Sequence, residues 1–288
     1  MPKRLKVAVQ KSGRLSEDSL ALLRACDLEF DNARGGAALK LEPRNFPVEI
    51  LLLRDDDIPR YVSEGVADVG IVGENVLLET GLELTVLERL GFGQCRLSVA
   101  VPKDSSVEKV SDLRGQRIAT SYPRMLQQYL AKEGVTASVH EISGSVEIAP
   151  GIGLAAAIFD IVSSGSTLAL NGLRELAVAY RSQAVVLTRQ GLGAEEKELL
   201  EKLRFRIQAV ERARRNKYIL LNAPNESLEE IIQILPGLKS PTVLPLAEPG
   251  WSSVHSVIEE DEFWDVLQKL RDAGAQGILV CAVEKMIG

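Results

Sequence analysis

Short apolar runs alternate with polar, helix-like segments along the first two thirds of the 288-residue chain. Runs this apolar are typical of strands that are covered on both faces of a sheet. The predicted strands are residues 5–10, 48–53, 67–73, 97–101, 117–120 and 138–142. Strands that alternate with helices through about Val178 predict an α/β fold built on parallel, doubly wound sheets.

Helix signals fall between these strands. Ser16 is expected to cap a helix that runs to Cys26, and Asp57 followed by Pro59 marks the start of a second helix. A third helix is predicted directly after Pro123. Its apolar face is predicted to consist of Met125, Leu126, Tyr129 and Leu130.

The last quarter of the chain follows a different order of elements. The predicted elements are strand 218–223, helix 227–235, strands 242–246 and 254–259, helix 262–273 and strand 278–284. This β-α-β-β-α-β order is ferredoxin-like, and it carries no catalytic cluster, which favours a regulatory or assembly role. The polar helix predicted before it, residues 195–217, is basic in its second half. That pattern indicates a connector or an oligomer contact rather than a nucleic-acid surface.

Composition narrows the class of protein. The chain is 45% hydrophobic and 26% charged, which is ordinary for a globular protein of two or three compact units. A net charge of −6 argues against nucleic acid or an anionic membrane as the main partner. Cys26, Cys95 and Cys281 lie far apart without metal or disulfide spacing, and no signal peptide or long apolar span is visible. We therefore expect a cytoplasmic protein.

The stretch from Glu141 to Leu173 carries the strongest chemical pattern. An Ala-rich segment, residues 154–159, is predicted to be helical, and a single acid, Asp160, follows it. After two apolar residues comes the loop that we call the anion loop, which consists of Ser163, Ser164, Gly165, Ser166 and Thr167. Hydroxyls, a flexible glycine and a helix starting behind them can bind phosphate, and Asp160 can accept hydrogen bonds from two sugar hydroxyls. A plain turn that caps a helix is the alternative for the loop alone.

Two other turns follow predicted strands at positions where ligands gather in α/β sheets. Lys11 and Arg14, on either side of Gly13, are candidates for phosphate contacts, with a solvated turn as the equal alternative. Asp55 lies near the carboxyl end of strand 48–53. It could contact a ribose, an adenine amino group or a metal-bearing diphosphate, or it could simply cap the next helix in solvent.

Two segments together, residues 68–73 and 112–120, resemble type II periplasmic binding proteins. The resemblance covers roughly residues 5–189. It implies two lobes that close on a ligand, with the chain crossing between them near residues 95 and 180. On this basis we divide the chain into lobe I (1–95 and 180–214), lobe II (96–179) and a C-terminal domain (215–288).

A more specific resemblance is carried by an ensemble of motifs that runs nearly from end to end. The motifs are Gln10-Lys-Ser-Gly-Arg-Leu15, Arg54-Asp-Asp-Asp-Ile-Pro59, Val69-Gly-Ile-Val-Gly-Glu-Asn75, Ile118-Ala-Thr-Ser-Tyr-Pro123, Gly144-Ser-Val-Glu-Ile-Ala-Pro150 and Asp160-Ile-Val-Ser-Ser-Gly-Ser-Thr-Leu168. Together they resemble the ATP phosphoribosyltransferase family of histidine biosynthesis. The last domain is similar to that of the long form, which carries its own regulatory domain.

This resemblance implies that ATP and phosphoribosyl pyrophosphate give phosphoribosyl-ATP and pyrophosphate, with Mg²⁺ held on the diphosphate. It implies that the anion loop binds the 5′-phosphate, that Asp160 holds the ribose hydroxyls and that Glu147 supports the sugar or the nucleophile. Lys11 and Arg14 would neutralise phosphates. The residues expected on the nucleotide side are Lys11, Gly13, Arg14, Asp55, Asp68 and Tyr122.

The resemblance further implies inhibition by histidine at a site in the C-terminal domain. The residues aligned with effector contacts are Asn222, Leu238, Thr242 and Val257, although plain core or edge positions are as good an interpretation for Leu238 and Val257. The family forms dimers and hexamers, so a homo-oligomer is expected.

Rival functions leave part of the pattern unexplained. A solute-binding protein would share the two lobes but does not need the anion loop beside Asp160, and a non-catalytic regulatory subunit would not need Lys11 and Arg14. Metal-dependent hydrolysis and a nucleophilic triad are disfavoured, because the chain has two histidines, His140 and His255, without ligand spacing.

Overall fold

The structure is a computed structural model that describes residues 3–31, 39–235, 237 and 240–288. It divides into two compact units, residues 1–201 and 202–288. The strands of the first unit are β1 (Leu5–Gln10), β2 (Lys40–Leu41), β3 (Val48–Leu53), β4 (Val69–Gly73), β5 (Thr85–Arg89), β6 (Cys95–Pro102), β7 (Arg117–Thr120), β8 (Ser138–Glu141), β9 (Ala157–Val162), β10 (Leu173–Ser182) and β11 (Ala184–Thr188). Its helices are α1 (Arg14–Ala25), α2 (Ile58–Ser63), α3 (Glu74–Thr80), α4 (Pro123–Glu133), α5 (Ser166–Leu170) and α6 (Ala194–Arg214), the last of which ends in the second unit.

Two mixed sheets form the first unit. The first sheet has the order β2-β3-β1-β4-β11-β5, and we call the part built on it lobe I. The second sheet, the basis of lobe II, has the order β10-β6-β9-β7-β8. The lobe limits proposed from the sequence stay predictions.

The predicted parallel arrangement holds for part of each sheet. β1 is parallel to β3 and β4, and β7 is parallel to β8 and β9. The first strand after each crossing, β6 in lobe II and β11 in lobe I, runs the other way. β11 is antiparallel to β4 and β5, and β6 is antiparallel to β9 and β10. The chain leaves lobe I after β5 and returns to it through β11.

The apolar patterns explain which elements pack in each lobe. β1 and β3 are buried over most of their length, as their continuous hydrophobic runs predict. The predicted face of α4, formed by Met125, Leu126, Tyr129 and Leu130, is buried in the core of lobe II. Gly70 in β4 has a packing reason: a Cβ there would come within 2.7 Å of the Ile58 side chain of α2. The glycine therefore admits a core side chain rather than a ligand.

Two local predictions are wrong. Residues 157–162 form strand β9 rather than the end of an Ala-rich helix, since β9 lies between β6 and β7 and buries Ala157, Ile158 and Phe159. Pairing on both sides outweighs the helix propensity of the alanines. Ser16 does not cap α1, which begins two residues earlier at Arg14, after Gly13 with φ +90°. Ser16 is buried inside the first turn.

The second unit has the predicted β-α-β-β-α-β order. Its elements after α6 are β12 (Asn216–Pro224), α7 (Leu228–Ile234), β13 (Thr242–Pro245), β14 (Trp251–Glu259), α8 (Phe263–Asp272) and β15 (Gln276–Ala282). The sheet order β13-β14-β12-β15 is antiparallel and ferredoxin-like. Ile219, Leu221 and Val254 pack in one core with residues of both helices. No helix in the described ranges is long and apolar enough to cross a membrane.

Candidate active site in the cleft of the first unit

A cleft of about 650 Å³ brings together residues from both lobes of the first unit. From lobe I come Arg14, at the start of α1, and Asp55, directly after β3. From lobe II come Tyr122, at the start of α4, and Ser163 of the anion loop. Residues up to about 150 positions apart in the sequence therefore face one space. The carboxyl ends of parallel strands are the expected place for such a site.

The anion loop links β9 to the short helix α5 in lobe II. Gly165 has φ +83°, a left-handed conformation that suits glycine, and it directly precedes α5. The Ser164 and Ser166 hydroxyls are hydrogen-bonded at 2.8 Å. Part of the loop lines a cavity of about 120 Å³ together with Asp160 and Glu147. The loop, the aspartate and the glutamate that the sequence singled out thus share one small space.

Asp160 is the most perturbed carboxyl of this group. Its pKa is raised to about 6: burial is the main cause, the hydrogen bond that it accepts from the Ile161 N–H at 2.8 Å lowers the pKa, and the nearby Glu147 carboxylate raises it. Asp160 is half-buried, and ionising a half-buried acid beside a second acid costs free energy. Such a group is typical of a site where a ligand binds or a reaction takes place.

Tyr122 lies where the two lobes approach each other. Its pKa is raised well above the ordinary value, first by burial and then by the nearby Asp160, Asp56 and Asp55 carboxylates. Asn75 of α3 donates to its phenol oxygen at 3.4 Å, and Ser182 at the end of β10 donates to Asn75 at 2.8 Å. The phenol stays protonated at neutral pH and can donate a hydrogen bond into the cleft.

Arg96, Glu175 and Ser98 form a hydrogen-bonded support for the anion loop, and no sequence motif marks them. Arg96 pairs with Glu175 through two hydrogen bonds of 2.7 and 2.8 Å and donates to the Ser163 carbonyl at 2.9 Å. Glu175 also accepts from Ser98 at 2.6 Å. The Arg96 guanidinium holds the pKa of Glu175 below its usual range. A bidentate pair of this kind fixes the guanidinium, and through it the first carbonyl of the loop.

The turn after β1 supplies one of its two predicted cations to the cleft. Arg14 lines the cavity, and Gly13 with its positive φ lets the chain enter α1 directly before it. Lys11 is exposed and is not among the lining residues. Its backbone N–H donates to the Leu53 carbonyl at 2.7 Å, which places it at the same edge of the first sheet.

Asp68 does not lie with the other predicted nucleotide residues, and this part of the prediction is corrected. It precedes β4, whereas Asp55 follows the parallel strand β3, so the two acids lie at opposite edges of the first sheet. Asp68 accepts the Lys6 N–H at 2.9 Å and pairs with Arg189 at 3.4 Å. It lines a separate cavity with Lys3 and Glu196. Its contacts are those of a structural residue.

Three predicted effector residues share one face of the C-terminal sheet. Directly paired residues point to the same side, and the register pairs Val257 with Tyr218, Asn222 with Ser253, and Thr242 with His255. The same pairing puts this set opposite the face packed against α7 and α8. Leu238 lies outside the described residues.

Metal binding by the protein alone finds no support in the described ranges. They contain no group of three or more His, Cys, Asp or Glu side chains placed to hold a metal ion. The neighbouring acids Asp55, which lines the cleft, and Asp56 could accept hydrogen bonds from the water ligands of an ion that arrives with a substrate. Burial and the neighbouring Asp55 and Asp57 raise the pKa of Asp56. A cation arriving on a phosphate would relieve that repulsion.

Two α/β lobes that the chain crosses twice, with polar residues of both facing one cleft, define a class of proteins that hold a ligand between lobes. Comparison with known proteins makes the class specific. The family model described as ATP phosphoribosyltransferase matches residues 54–209, and the model described as HisG, C-terminal domain, matches residues 213–285.

Relatives of similar length support the match. An ATP phosphoribosyltransferase of Cytophaga hutchinsonii is 56% identical over 98% of both chains, and one of Phocaeicola vulgatus is 52% identical over 98% of this chain and 99% of its own. A solved ATP phosphoribosyl transferase (HisG:HisZ) complex from Thermotoga maritima contains a chain that is 29% identical. Its TM-score is 0.60, and the match covers 71% of this chain and 98% of that one.

The chain therefore belongs to the ATP phosphoribosyltransferase family. It is a pentosyltransferase enzyme of histidine biosynthesis, with the additional C-terminal domain of the long form. The predicted fold class, a two-lobed α/β region followed by a ferredoxin-like domain, is confirmed.

Proposed function

We propose that this chain joins N1 of ATP to C1 of phosphoribosyl pyrophosphate, giving phosphoribosyl-ATP and pyrophosphate as the first step of histidine biosynthesis. The observation that carries the proposal is the cavity shared by the anion loop, Asp160 and Glu147. It offers hydroxyl and amide donors for a phosphate beside a carboxylate for sugar hydroxyls, which is the pattern of a ribose 5-phosphate.

In this proposal the anion loop binds the 5′-phosphate and Asp160 accepts hydrogen bonds from the ribose hydroxyls. Two donated hydrogen bonds stabilise the ionised carboxylate, which offsets the burial that raises its pKa to about 6. Glu147 lies on the same side of the sugar, where a negative charge favours the cation-like C1 of the transition state. The carboxylates thus stabilise the positive charge that develops at C1 as the diphosphate leaves.

The nucleotide occupies the larger cleft. Arg14 neutralises phosphate charge, with Lys11 and the Gly13 backbone at the same edge of the sheet, while Asp55 and Tyr122 line the side for the base and ribose. Holding two anionic substrates in line is most of the catalysis that such a displacement needs. Asp68 has no role here. Mg²⁺ enters as part of the substrates, bound to the diphosphate and to water.

A coupled assay tests the reaction. Purified full-length protein is mixed with ATP, Mg²⁺, phosphoribosyl pyrophosphate and pyrophosphatase, and phosphoribosyl-ATP is followed by its ultraviolet absorbance. We expect product formation that requires all substrates. No product from a protein that still binds ATP would contradict the proposal.

The anion loop has its own test. Gly165→Val forces a β-branched residue into a left-handed conformation at φ +83°, where few contacts oppose the side chain but the backbone is strained. The loop should lose its shape, and the apparent affinity for phosphoribosyl pyrophosphate should fall at least tenfold, roughly the loss of one charged hydrogen bond. Gly172→Val, at φ +69° beyond α5, is the matched strained control and should leave that affinity unchanged.

We further propose that histidine inhibits the enzyme through the C-terminal domain, on the sheet face that carries Asn222, Thr242 and Val257, with Leu238 retained as a predicted contact. Three predicted contacts on one face support this assignment. Deleting the residues beyond 215 should abolish inhibition by histidine and retain activity. Loss of both would indicate that the domain acts in assembly instead.

A homo-oligomer, dimer or hexamer, and a cytoplasmic location complete the proposal. Exposed apolar side chains on the edge strand β15, including Leu279 at 59% exposure, support association of copies. Light scattering of the purified protein with and without histidine measures the oligomer. A monomer under both conditions would contradict this part.

A further inference from the structure

Helix α4 carries Tyr122 into the cleft, but it begins without a cap of its own. Tyr122 stands at the N-cap position and makes no side-chain capping bond, and Pro123 at the first helical position has no N–H. The first free N–H groups of α4 therefore belong to Arg124 and Met125. Such groups need an acceptor from elsewhere.

The acceptor comes from the other lobe. Glu79, in the last turn of α3, accepts the Arg124 N–H at 2.9 Å and the Met125 N–H at 3.0 Å. One carboxylate of lobe I thus satisfies both open donors at the N-terminus of a helix of lobe II. The positive end of the helix dipole adds to the attraction.

The contact is reciprocal. α3 ends at Gly81, which has a left-handed φ of +65°, and the Arg124 guanidinium lies directly against it, so that a methyl group on Gly81 would collide with the guanidinium. A cation at the C-terminus of α3 faces an anion at the N-terminus of α4, and both contacts are favourable to the helix dipoles. Asn75, one turn before Glu79 on the same face of α3, reaches Tyr122.

We propose that Glu79 is a positioning residue that, with Arg124, clamps α3 to α4 and fixes the distance between the two walls of the cleft. The consequence differs between ligands. A ligand that touches both walls depends on that distance, whereas a ligand held by lobe II alone does not. In terms of the proposed function, on which the choice of ligands rests, ATP is the first kind and ribose 5-phosphate in the anion loop is the second.

The series Glu79→Gln and Glu79→Ala, made in the full-length protein, tests the clamp. Amide hydrogen exchange at Arg124 and Met125 should accelerate, by about tenfold for Ala and less for Gln, which keeps one acceptor oxygen. The dissociation constant for ATP should rise about five- to tenfold for Glu79→Ala, while that for ribose 5-phosphate stays within twofold.

Glu83→Gln is the matched control. Glu83 is exposed and lies beyond the end of α3, and the substitution removes the same charge. It should change neither ligand nor the exchange rates. If Glu79→Ala does not fold, Arg124→Met removes the cation from the opposite helix, and it should also weaken ATP more than ribose 5-phosphate.

Equal weakening of both ligands would overturn the proposal, because it would indicate general damage to the first unit. Unchanged exchange at Arg124 and Met125 would overturn it as well. If the wild-type protein makes no phosphoribosyl-ATP, the proposed function fails, but the exchange result still decides the clamp, since it needs no substrate.

Discussion

Acidic side chains at the cleft and at the opposite edge of the first sheet differ in what surrounds them. Away from the cleft, Asp68 accepts the Lys6 N–H and pairs with Arg189, and Glu196 pairs with Lys3. In the small cavity beside the anion loop, Asp160 accepts one backbone N–H, and its charged neighbour is another acid, Glu147. Asp68 and Glu196, which the protein pairs with its own cations, stabilise the fold, whereas Asp160, which faces another acid at a cavity, is the kind of group found at ligand sites.

The largest effect should separate the two aspartates in catalysis. Asp160→Asn removes the carboxylate that we propose accepts hydrogen bonds from the ribose hydroxyls, and kcat/KM for phosphoribosyl pyrophosphate should fall by about 100-fold or more. Asp68→Asn should leave it within about threefold, because Asp68 lies at the other edge of the sheet. Steady-state kinetics at saturating ATP measure both. Similar losses in the two variants would break the comparison.

The substitutions Asp68→Asn and Asp160→Asn should change the free energy of unfolding in opposite directions. Asp68 is 10% exposed and Arg189 24%, so Asp68→Asn leaves a largely buried cation without its partner and should cost about 2 kcal/mol of unfolding free energy. Asp160→Asn should gain about 2 kcal/mol at pH 7.5, because the folded-state pKa of about 6 lies above the unfolded value and ionisation opposes folding.

The gain from Asp160→Asn should depend on pH in a defined direction. It is complete above pH 6, falls to about half at pH 5 and vanishes below about pH 4, where the carboxyl is protonated in both states. Urea unfolding at pH 7.5 and 5.0 measures it. A gain that grows as the pH falls would contradict the raised pKa. The same group should give an acidic limb near pH 6 in the profile of kcat/KM.

A smaller effect is expected from the support below the anion loop. Arg96→Met removes the hydrogen bond to the Ser163 carbonyl and leaves Glu175 without its cation, so KM for phosphoribosyl pyrophosphate should rise about tenfold. The value of kcat should change less than KM. Arg117→Met, which removes a 3.2 Å bond to the Leu154 carbonyl elsewhere in lobe II, is the control and should leave KM unchanged.

The smallest effect is expected at Tyr122. Its hydrogen bond with Asn75 is long at 3.4 Å, and Phe keeps the ring, so Tyr122→Phe should lower kcat by about threefold or less. Because burial raises its pKa, the wild-type phenol should produce no basic limb below pH 9 in the rate profile. A basic limb that disappears in the variant would give Tyr122 a larger role than the cleft geometry suggests.

Local patterns were sufficient where one segment determines its own structure. The apolar runs of β1 and β3 give their bounds without error, and the motif around the anion loop places Asp160 beside it. The Ala-rich segment shows the opposite case: its residues favour a helix, and only the pairing with β6 and β7 makes it β9. Intrinsic helix propensity has little influence once a strand on each side pairs with the backbone of the segment.

Contacts between distant segments could not be predicted. Glu79 meets α4 across 45 residues, and Arg96 meets Glu175 across 79. Neither pair has a spacing that a single sequence reveals. Asp68 is a different case, because the sequence already puts it at the amino end of the predicted strand 67–73. In a parallel sheet that end lies opposite the carboxyl ends, where Asp55 was expected, and the parallel pairing of β4 with β1 bears this out.

The double crossing between the lobes also orders events during protein synthesis. All strands of lobe II lie between Cys95 and Ser182, so its sheet can form as one continuous piece. Lobe I is different, because β4 needs β11, and the Thr188 hydroxyl reaches back 120 residues to the Asp68 carbonyl. On the ribosome, lobe II, which carries the anion loop, can therefore fold first. Lobe I stays incomplete until β11 has been synthesised.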